Sequence, residues 1–320
     1  MEDHSDKKIL ITGGAGYLGS FLVRELLRHE GTHIVAFSRD ELKHFNLKLQ
    51  LGNLVNRVDF VIGDVRDEDR LAEACKGVDV VIHAAAMKQV GTCEDNPTEC
   101  YKTNVLGTEN VIHAARRTGV GQLIFISTDK AVEPVSVYGN SKQAGERLVL
   151  KSNGSELRAS VIRFGNLIGS PGSIVDKLSK LDSGETITLY SEELTRFVDS
   201  LDNARNLIHA QMARDFGGTI MIPKLRSVKV VDLVSACAPL IQVRFGGERG
   251  FEKIHEKLAT KNELGRMSQT EDFYLITGEV LDTDNALDTF GALPVRLDAY
   301  DSETSEPFVA LEELKPRGIG

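Results

Sequence analysis

ILITGGAGYLG, residues 9–19, decides how the rest of the chain is interpreted. The apolar run Ile9–Ile11 predicts a buried β-strand, and Gly13, Gly16 and Gly19 follow it in a GxxGxxG spacing. Glycine permits a tight turn and a close approach of the backbone to a pyrophosphate, and the N–H groups of the next helix point at that anion. This stretch therefore predicts a dinucleotide-binding loop, with a purely structural turn as the alternative.

Outward from this loop, short β-rich runs alternate with amphipathic stretches. The predicted strands are Ile9–Ile11, His33–Phe37, Val58–Ile62, Val78–His83, Gln122–Ser127 and Ser160–Phe164. The predicted helices are Phe21–Arg28, Asp67–Lys76, Pro97–Arg117 and Tyr138–Lys151. The strands carry few charges, as expected when both faces of a sheet are covered. The alternation predicts an α/β fold with a doubly wound parallel sheet of the Rossmann type.

The regular alternation of β-rich and amphipathic stretches ends after Asn166, where the glycine- and serine-rich stretch 169–173 indicates a loop. We expect residues 1–166 to form the cofactor domain. Residues 167–320 are expected to form a smaller C-terminal α/β substrate domain, and some elements are expected to cross the boundary. The elements predicted there are a helix over 174–183, a strand over 186–190, a helix over 202–214 and a strand over 219–222.

Composition excludes several classes of protein. The 320 residues carry a net charge of -9, which argues against nucleic acid as the main partner because phosphate backbones need a basic face. The polar N-terminus MEDHSDKK does not resemble a signal peptide, and no apolar run approaches the ~20 residues that span a bilayer. The four cysteines lack zinc-ligand spacing, so we expect free thiols and no metal. The sequence thus predicts a soluble cytoplasmic protein.

The end of the second strand bears on which dinucleotide is bound. Ser38 and Arg39 stand where an NAD enzyme usually has an acid for the ribose 2′-hydroxyl, and Arg39 could fork onto a 2′-phosphate. This arrangement favours NADP over NAD. In the alternative, Arg39 is a solvated cation and Asp40 binds the ribose. Asp64, after the third strand, is placed to meet the adenine or, alternatively, to cap the next helix.

A candidate catalytic pair follows the fifth strand. Tyr138 and Lys142 are spaced i, i+4 on one predicted helix, so both side chains lie on one face. The Lys142 cation and a positive nicotinamide ring would favour tyrosinate, and Thr128 at the strand end can hydrogen-bond the same substrate hydroxyl. This pattern predicts hydride chemistry. The alternative is an ordinary pair on a helix surface.

Asp129 and Lys130 add groups that a simple oxidation does not need. Removal of water across two carbons requires a base beside a new ketone and an acid for the leaving hydroxyl. The two adjacent side chains offer both functions, and a structural ion pair is the alternative on chemistry alone.

Several longer stretches match one family. They are STDKA at 127–131 with Pro134 and the YGxxK of 138–142, SRDE at 38–41, GDVRD at 63–67, HAAAMK at 83–88, NVxGT at 104–108, RFGN at 163–166, TRF at 195–197 and EKIHE at 252–256. Over nearly the whole chain, the sequence resembles the bacterial and archaeal UDP-N-acetylglucosamine 4,6-dehydratases of polysaccharide and flagellar-sugar biosynthesis. These are extended short-chain dehydrogenases/reductases.

The resemblance implies a mechanism. Tyr138 deprotonates the C4 hydroxyl as hydride moves to NADP⁺, Lys130 removes the C5 proton, Asp129 protonates the departing C6 hydroxyl, and hydride returns to C6. Thr128 and Lys142 complete the catalytic set. The implied ligands of the UDP-sugar are Lys88, Asn166, Arg196, Arg249 and Glu252. The cofactor ligands are Gly13, Gly16, Tyr17, Leu18, Gly19, Ser38, Arg39, Asp64, Val65, Ala84, Ala85, Lys88, Tyr138 and Lys142. A homo-oligomer is also implied, and Asn104 is expected to support the active-site helix.

The chain departs from the family pattern on the substrate side. Gln89 and Gly91 replace a histidine and a proline, Pro171 replaces an arginine, and the stretch 249–252 reads RGFE in place of Arg-Pro-Gly-Glu. These departures leave the identity of the sugar open. Long members of the family carry a membrane segment ahead of the cofactor domain that this sequence lacks, and we therefore expect inversion at C5. The alternative functions are a UDP-sugar 4-epimerase, which needs no acid and base at C5 and C6, and a silent dinucleotide-sensing protein, which would typically lose Tyr138 or Lys142.

Overall fold

The computed structural model describes residues 6–214, 216–247, 250–280 and 283–307. The strands are β1 (Lys8–Thr12), β2 (His33–Ser38), β3 (Val58–Ile62), β4 (Val80–His83), β5 (Gln122–Thr128), β6 (Arg158–Phe164), β7 (Asn166–Leu167), β8 (Thr186–Leu189), β9 (Thr195–Asp199), β10 (Ile220–Pro223), β11 (Arg226–Lys229), β12 (Gln242–Phe245), β13 (Met267–Gln269), β14 (Phe273–Ile276) and β15 (Leu293–Pro294).

Along the chain the helices alternate with these strands, and in the fold they cover both faces of the main sheet. They are α1 (Tyr17–Leu26), α2 (Glu41–Leu51), α3 (Glu68–Ala74), α4 (Val90–Asp95), α5 (Pro97–Tyr101), α6 (Gly107–Thr118), α7 (Val137–Ser152), α8 (Ile174–Leu178), α9 (Leu201–Ala213), α10 (Val230–Cys237), α11 (Lys261–Leu264) and α12 (Thr283–Phe290). Within the described ranges, no helix is long and apolar enough to cross a membrane.

The largest sheet has the order β15-β13-β14-β10-β6-β5-β4-β1-β2-β3. From β3 to β10 the neighbouring strands are parallel, whereas β14, β13 and β15 continue the sheet antiparallel. The order β3-β2-β1-β4-β5-β6 is that of a Rossmann fold, so the predicted fold class is confirmed. The chain order reverses between β1 and β4, and ligands of such folds bind at the carboxyl ends of the strands at this point.

Burial on both faces explains the apolar strands. In β1, Leu10 packs into one core cluster while Ile9 and Ile11 pack into the cluster on the other face, because successive side chains of a strand alternate. All three side chains are fully buried. Leu123 and Ile124 of β5 divide between the same two clusters. The six strands predicted up to residue 164 are confirmed to within two residues at either end.

The predicted helix Pro97–Arg117 is interrupted. A π-helical turn, Lys102–Leu106, separates α5 from α6. The turn brings the Asn104 side chain to the loop after β4, where its Oδ1 accepts from the Met87 N–H at 2.8 Å and its Nδ2 donates to the Met87 carbonyl at 2.9 Å. The same Nδ2 lies 2.9 Å from Ser141 Oγ on α7. Asn104 thus fastens this loop to the helix that carries Tyr138.

The chain leaves the large sheet near the predicted boundary at residue 166. Strands β7, β9 and β11 form a three-stranded sheet, and β8 pairs with β12 in a two-stranded one. Strands β10, β13, β14 and β15 then return to the large sheet. The later part of the chain therefore contributes both to the large sheet and to the two small sheets. The division into domains 1–166 and 167–320 stays a prediction.

A buried ionic cluster ties the later part of the chain to α7. Arg163 of β6 donates two hydrogen bonds to Glu146 of α7, at 2.9 and 2.7 Å, and two to Glu263 of α11, at 3.0 and 2.8 Å. Its Nη1 also donates to the Leu258 carbonyl at 3.0 Å. Arg163 and Glu146 are each 3% exposed. Since α7 also carries Tyr138 and Lys142, this cluster fixes their helix against the sheet.

We predict that Arg163→Ala lowers the free energy of unfolding by about 3–5 kcal/mol, because two buried carboxylates lose their shared cation. Urea denaturation measures this change. Arg117→Ala is the matched control, since Arg117 pairs with Glu68 and Asp69 on the surface and such pairs contribute at most about 1 kcal/mol. Equal effects of the two substitutions would contradict the assigned role of the buried cluster.

Candidate active site

A single cleft of about 1660 Å³ follows the carboxyl ends of β1, β2, β4, β5 and β6. This volume exceeds the ~300–1,000 Å³ of a site for one small ligand and gives room for two. The predicted site residues that line it are Gly13, Gly16, Tyr17, Leu18, Gly19, Ser38, Arg39, Val65, Ala84, Ala85, Lys88, Thr128, Lys130, Tyr138, Lys142, Asn166, Arg196 and Glu252. Asp129 lies fully buried behind this surface, Asp64 lies beside it, and Arg249 falls outside the described residues.

The glycine loop at one end of the cleft is packed too tightly for side chains. A Cβ on Gly19 would lie 2.2 Å from the Gly13 carbonyl oxygen, and one on Gly13 would lie 3.0 Å from the Ala85 backbone nitrogen. Gly13 also has a φ of 70° and donates its N–H to the Phe37 carbonyl at 2.8 Å. The loop therefore presents bare backbone at the start of α1, as a phosphate cradle requires.

The second strand ends in groups with distinct partners. Asp40 caps α2 by accepting the Lys43 N–H at 3.0 Å, so its carboxylate is already engaged. Arg39 lies 3.5 Å from Asp64, but Asp64 is held more closely by Arg66 at 2.7 Å. The Arg39 side chain is 58% exposed and lines the cleft. Asp67, and not Asp64, caps α3 by accepting the Arg70 N–H at 3.0 Å, which removes the capping alternative for Asp64.

The loop after β7 closes against the cofactor side of the cleft. Tyr17 Oη donates to the Ile168 carbonyl at 2.6 Å, and Lys88 Nζ donates to the Pro171 carbonyl at 3.0 Å. Gln89 Nε2 donates to the same carbonyl at 3.1 Å. Two departures from the family pattern, Gln89 and Pro171, are thus direct partners in space.

Thr128, Asp129 and Lys130 form a compact acid–base group. Thr128 Oγ1 donates to Asp129 Oδ1 at 2.8 Å, and Lys130 Nζ donates to the same oxygen at 3.1 Å. Asp129 Oδ2 is buried and has no hydrogen-bond partner among the described residues. Burial raises the pKa of Asp129, the Lys130 cation opposes this, and the nearby Glu256 carboxylate adds to it. A buried polar atom without a partner is uncommon in folded proteins, and a catalytic role is one reason for it.

Tyr138 and Lys142 stand one turn apart on α7. Burial raises the pKa of Tyr138 while the Lys130 cation and a hydrogen bond with Thr128 oppose the rise. The sequence assigned that opposing charge to Lys142, whose Nζ lies 3.8 Å from the centroid of the Phe125 ring. Burial lowers the pKa of Lys142 to about 7, against the influence of Glu146. Lys142 can therefore change its charge near neutral pH.

The far side of the cleft is built around a buried arginine. Arg196 of β9 forms an ion pair with Glu252 at 2.6 Å and donates to the Ile254 carbonyl at 3.0 Å. Asn166 Oδ1 accepts from Lys130 Nζ at 3.1 Å. The structure thus places all the predicted substrate ligands that it describes, Lys88, Asn166, Arg196 and Glu252, along one cleft.

Two charged residues on the Arg196 side of the cleft were not among the site residues predicted from the sequence. Lys253 and Glu256 also line the cleft, and Glu256 Oε1 lies 3.3 Å from Lys130 Nζ. Both belong to the EKIHE stretch that carried part of the family resemblance, but only Glu252 was assigned a role there. Their positions follow from the fold of the later part of the chain, which the residue spacing alone does not define. Among the described residues, no cluster of three or more His, Cys, Asp or Glu side chains could hold a metal ion.

The strand order, the bare glycine loop and the Tyr-x-x-x-Lys pair beside Thr128 together define an extended short-chain dehydrogenase/reductase. The chain also matches the model of the family described as "Polysaccharide biosynthesis protein" over residues 9–278. It therefore belongs to that family.

Two relatives and one solved structure are similar to this chain over most of their length. The chain is 38% identical to the UDP-N-acetylglucosamine 4,6-dehydratase (inverting) of Campylobacter jejuni subsp. jejuni, with 96% of each chain covered. It is 35% identical to the UDP-glucose 4-epimerase of Rickettsia canadensis, with 85% of this chain and 83% of the relative covered. The solved structure of Pen from Bacillus thuringiensis superposes with a TM-score of 0.87 at 30% identity, covering 97% of this chain and 96% of that one.

His83, at the end of β4, joins the glycine loop to α6. Its ring lies 2.6 Å from Thr12 Oγ1 and 3.0 Å from Thr108 Oγ1. Burial lowers the pKa of His83 to about 3, and the Lys142 cation adds to the effect. The neutral ring is therefore part of the folded state.

This histidine predicts a loss of stability in acid. The unfolded chain protonates His83 near its usual pKa of about 6.5, whereas the folded chain does so only near pH 3. Its contribution is present above about pH 6.5 and is lost as the pH falls, by about 2 kcal/mol between about pH 7 and about pH 5. Denaturant unfolding across this range should show a weaker pH dependence in His83→Gln than in the wild type. Identical pH dependences would contradict the assignment.

Proposed function

We propose that this protein is a UDP-N-acetylglucosamine 4,6-dehydratase, which produces a UDP-4-keto-6-deoxy-hexosamine with inversion at C5. One observation carries the proposal. Asp129 and Lys130 lie in contact at 3.1 Å directly beside Tyr138, in a cleft large enough for a dinucleotide and a sugar nucleotide. Oxidation alone needs Tyr138 and its neighbours, whereas loss of water also needs this additional acid and base. The inverting dehydratase of Campylobacter jejuni supports both the substrate and the stereochemistry.

We infer that the cofactor is NADP. The glycine loop fits a pyrophosphate, because Gly19 lets the loop backbone pack directly against the first turn of α1, where a Cβ would collide with the Gly13 carbonyl oxygen, and the loop presents backbone without side chains at the helix N-terminus. Arg39 is the exposed cation at the end of β2, and the Asp40 carboxylate is occupied by the α2 cap. This arrangement favours a 2′-phosphate over a free 2′-hydroxyl. The glycine loop and Arg39 would hold NADP, which would supply a reversible hydride acceptor for the sugar.

The chain's own residues would divide the proton transfers among them. Tyr138 accepts the proton of the C4 hydroxyl, with Thr128 in hydrogen-bond contact on one side. Lys130 takes the C5 proton, which the new ketone makes acidic. Asp129 protonates the departing C6 hydroxyl, and its Oδ2 makes no hydrogen bond to any described residue. Arg196, Lys88 and Asn166 bind the UDP-sugar across the cleft.

A second candidate function is a UDP-sugar 4-epimerase, which the similarity to the Rickettsia enzyme favours. Mass spectrometry of a reaction containing the protein, NADP⁺ and UDP-N-acetylglucosamine separates the two. A product lighter by one water establishes dehydration, and NMR then determines the configuration at C5. An unchanged mass with a new epimer would establish the epimerase instead. NADP binding without turnover of a panel of sugar nucleotides would favour the sensing protein.

We predict that Lys130→Ala reduces dehydration by about 100-fold or more, because C5 loses its base. The same variant should still form NADPH on addition of substrate, since C4 oxidation precedes C5 deprotonation. Absorbance of NADPH and mass spectrometry of the product measure the two steps. Lys180→Ala, which removes an exposed cation paired with Asp176, is the control and should retain turnover. Normal dehydration by Lys130→Ala would exclude the assigned role.

We predict that Arg39→Ala weakens NADP⁺ binding by about 1–3 kcal/mol while NAD⁺ binding changes little, because only NADP⁺ carries the 2′-phosphate. Isothermal titration calorimetry with both dinucleotides measures the difference. Arg70→Ala, on α3 outside the cleft, controls for the loss of a surface cation. Equal weakening of both dinucleotides would exclude the 2′-phosphate assignment. The homo-oligomer and the cytoplasmic location stay predictions.

A further inference from the structure

Glu256 occupies a fixed position beside the base of the proposed reaction. It is 2% exposed, and its backbone is held on both sides by Ser302: Ser302 Oγ accepts the Glu256 N–H at 2.8 Å, and the Glu256 carbonyl accepts the Ser302 N–H at 2.8 Å. Its Oε1 lies 3.3 Å from Lys130 Nζ, and its Oε2 lies 3.5 Å from Lys253 Nζ. These contacts hold Glu256 in a defined position in the wall of the cleft.

Lys130 is shared among three oxygens from three parts of the chain. Its Nζ lies 3.1 Å from Asp129 Oδ1, 3.1 Å from Asn166 Oδ1 and 3.3 Å from Glu256 Oε1. An ammonium group has three donors, so these acceptors match the charged form. Burial alone lowers the pKa of Lys130, but the Asp129 and Glu256 carboxylates outweigh it and the net pKa is raised. A base must be neutral, so Lys130 has to lose a proton before it can act.

The two carboxylates differ as acceptors of that proton. Burial raises the pKa of Asp129. Burial acts on Glu256 as well, but the cations of Lys130, Arg196 and Lys253 outweigh it and keep the pKa of Glu256 below its usual value. The charged groups that face Lys130 are therefore Asp129, Glu256 and Arg196, with Lys253 behind Glu256 and the Tyr138 phenol beside them. Asp129 is the better acceptor, and Glu256 stays ionised.

We propose that Glu256 is a positioning residue for the dehydration proposed above, which holds the amine of Lys130 against Asp129 so that these two groups share one proton. Transfer of that proton from Nζ to the Asp129 carboxylate leaves a neutral amine and a carboxylic acid. The amine then takes the C5 proton, and the acid gives its proton to the C6 hydroxyl, which leaves as water. Both groups return to the ammonium and carboxylate forms at the end of the elimination, so these proton transfers balance.

The reactivity of Lys130 towards acetic anhydride tests this proposal without reference to turnover. Acetylation of Lys130, quantified by mass spectrometry of its peptide at several pH values, reports the fraction of neutral amine. Glu256→Gln removes the anion but keeps the shape, so Lys130 should react about tenfold faster or more, since a nearby opposite charge shifts a pKa by about one unit or more. Glu256→Asp, which retains the charge, should restore slow labelling. Glu303→Gln, which removes an exposed carboxylate paired with His255 outside the cleft, is the control and should leave the rate unchanged.

Turnover provides the second measurement. In Glu256→Gln, kcat for loss of water should fall by about 100-fold with a smaller change in KM, because without the anion the Lys130–Asp129 pair more readily loses the shared proton that Asp129 must give to the C6 hydroxyl. The alkaline limb of the pH profile should also move to lower pH, a shift that a merely structural role would not produce. An unchanged labelling rate in Glu256→Gln would overturn the proposal. If the wild type removes no water from the sugar nucleotide, the proposed function fails, and the labelling rates still decide whether Glu256 controls Lys130.

Discussion

The parallel sheet imposes the constraint on which the site depends. Because helices cover both of its faces, the strand interiors are apolar, and polar groups can be presented only where the strands end. Parallel strands all end at the same edge, so the glycine loop after β1, Arg39 after β2 and Thr128 at the end of β5 meet in one cleft although they are distant in sequence. The reversal of strand order between β1 and β4 opens the space that the ligands would occupy.

Burial and neighbouring charges shift the pKa values of the charged groups in this cleft. In a low-dielectric surrounding, each charge depends strongly on its partner, so a few contacts decide which groups are protonated. Lys130 is held as an ammonium by two carboxylates, whereas Lys142, against the Phe125 ring, has its pKa lowered to about 7. The pKa values of two lysines about a dozen residues apart are therefore shifted in opposite directions by what lies around them.

Two departures from the family pattern, Gln89 and Pro171, contact each other in the fold. Gln89 follows β4 and Pro171 follows β7, and in sequence nothing links them. In the fold, Gln89 and Lys88 both donate to the Pro171 carbonyl, while Tyr17 holds the same loop at Ile168. The two departures therefore belong to a single contact in the lining of the cleft.

The sequence by itself determined the sheet, the glycine loop and the Tyr138–Lys142 pair, because these features are encoded by local spacing: alternation, a GxxGxxG turn and an i, i+4 pair. It also indicated Asp129 and Lys130, which are neighbours along the chain. Only the tertiary structure decided that Asp40 is occupied by a helix cap and that Glu256 contacts Lys130. That contact joins residues more than a hundred positions apart, and no local pattern of spacing or propensity records which distant side chains the packing brings within hydrogen-bonding distance.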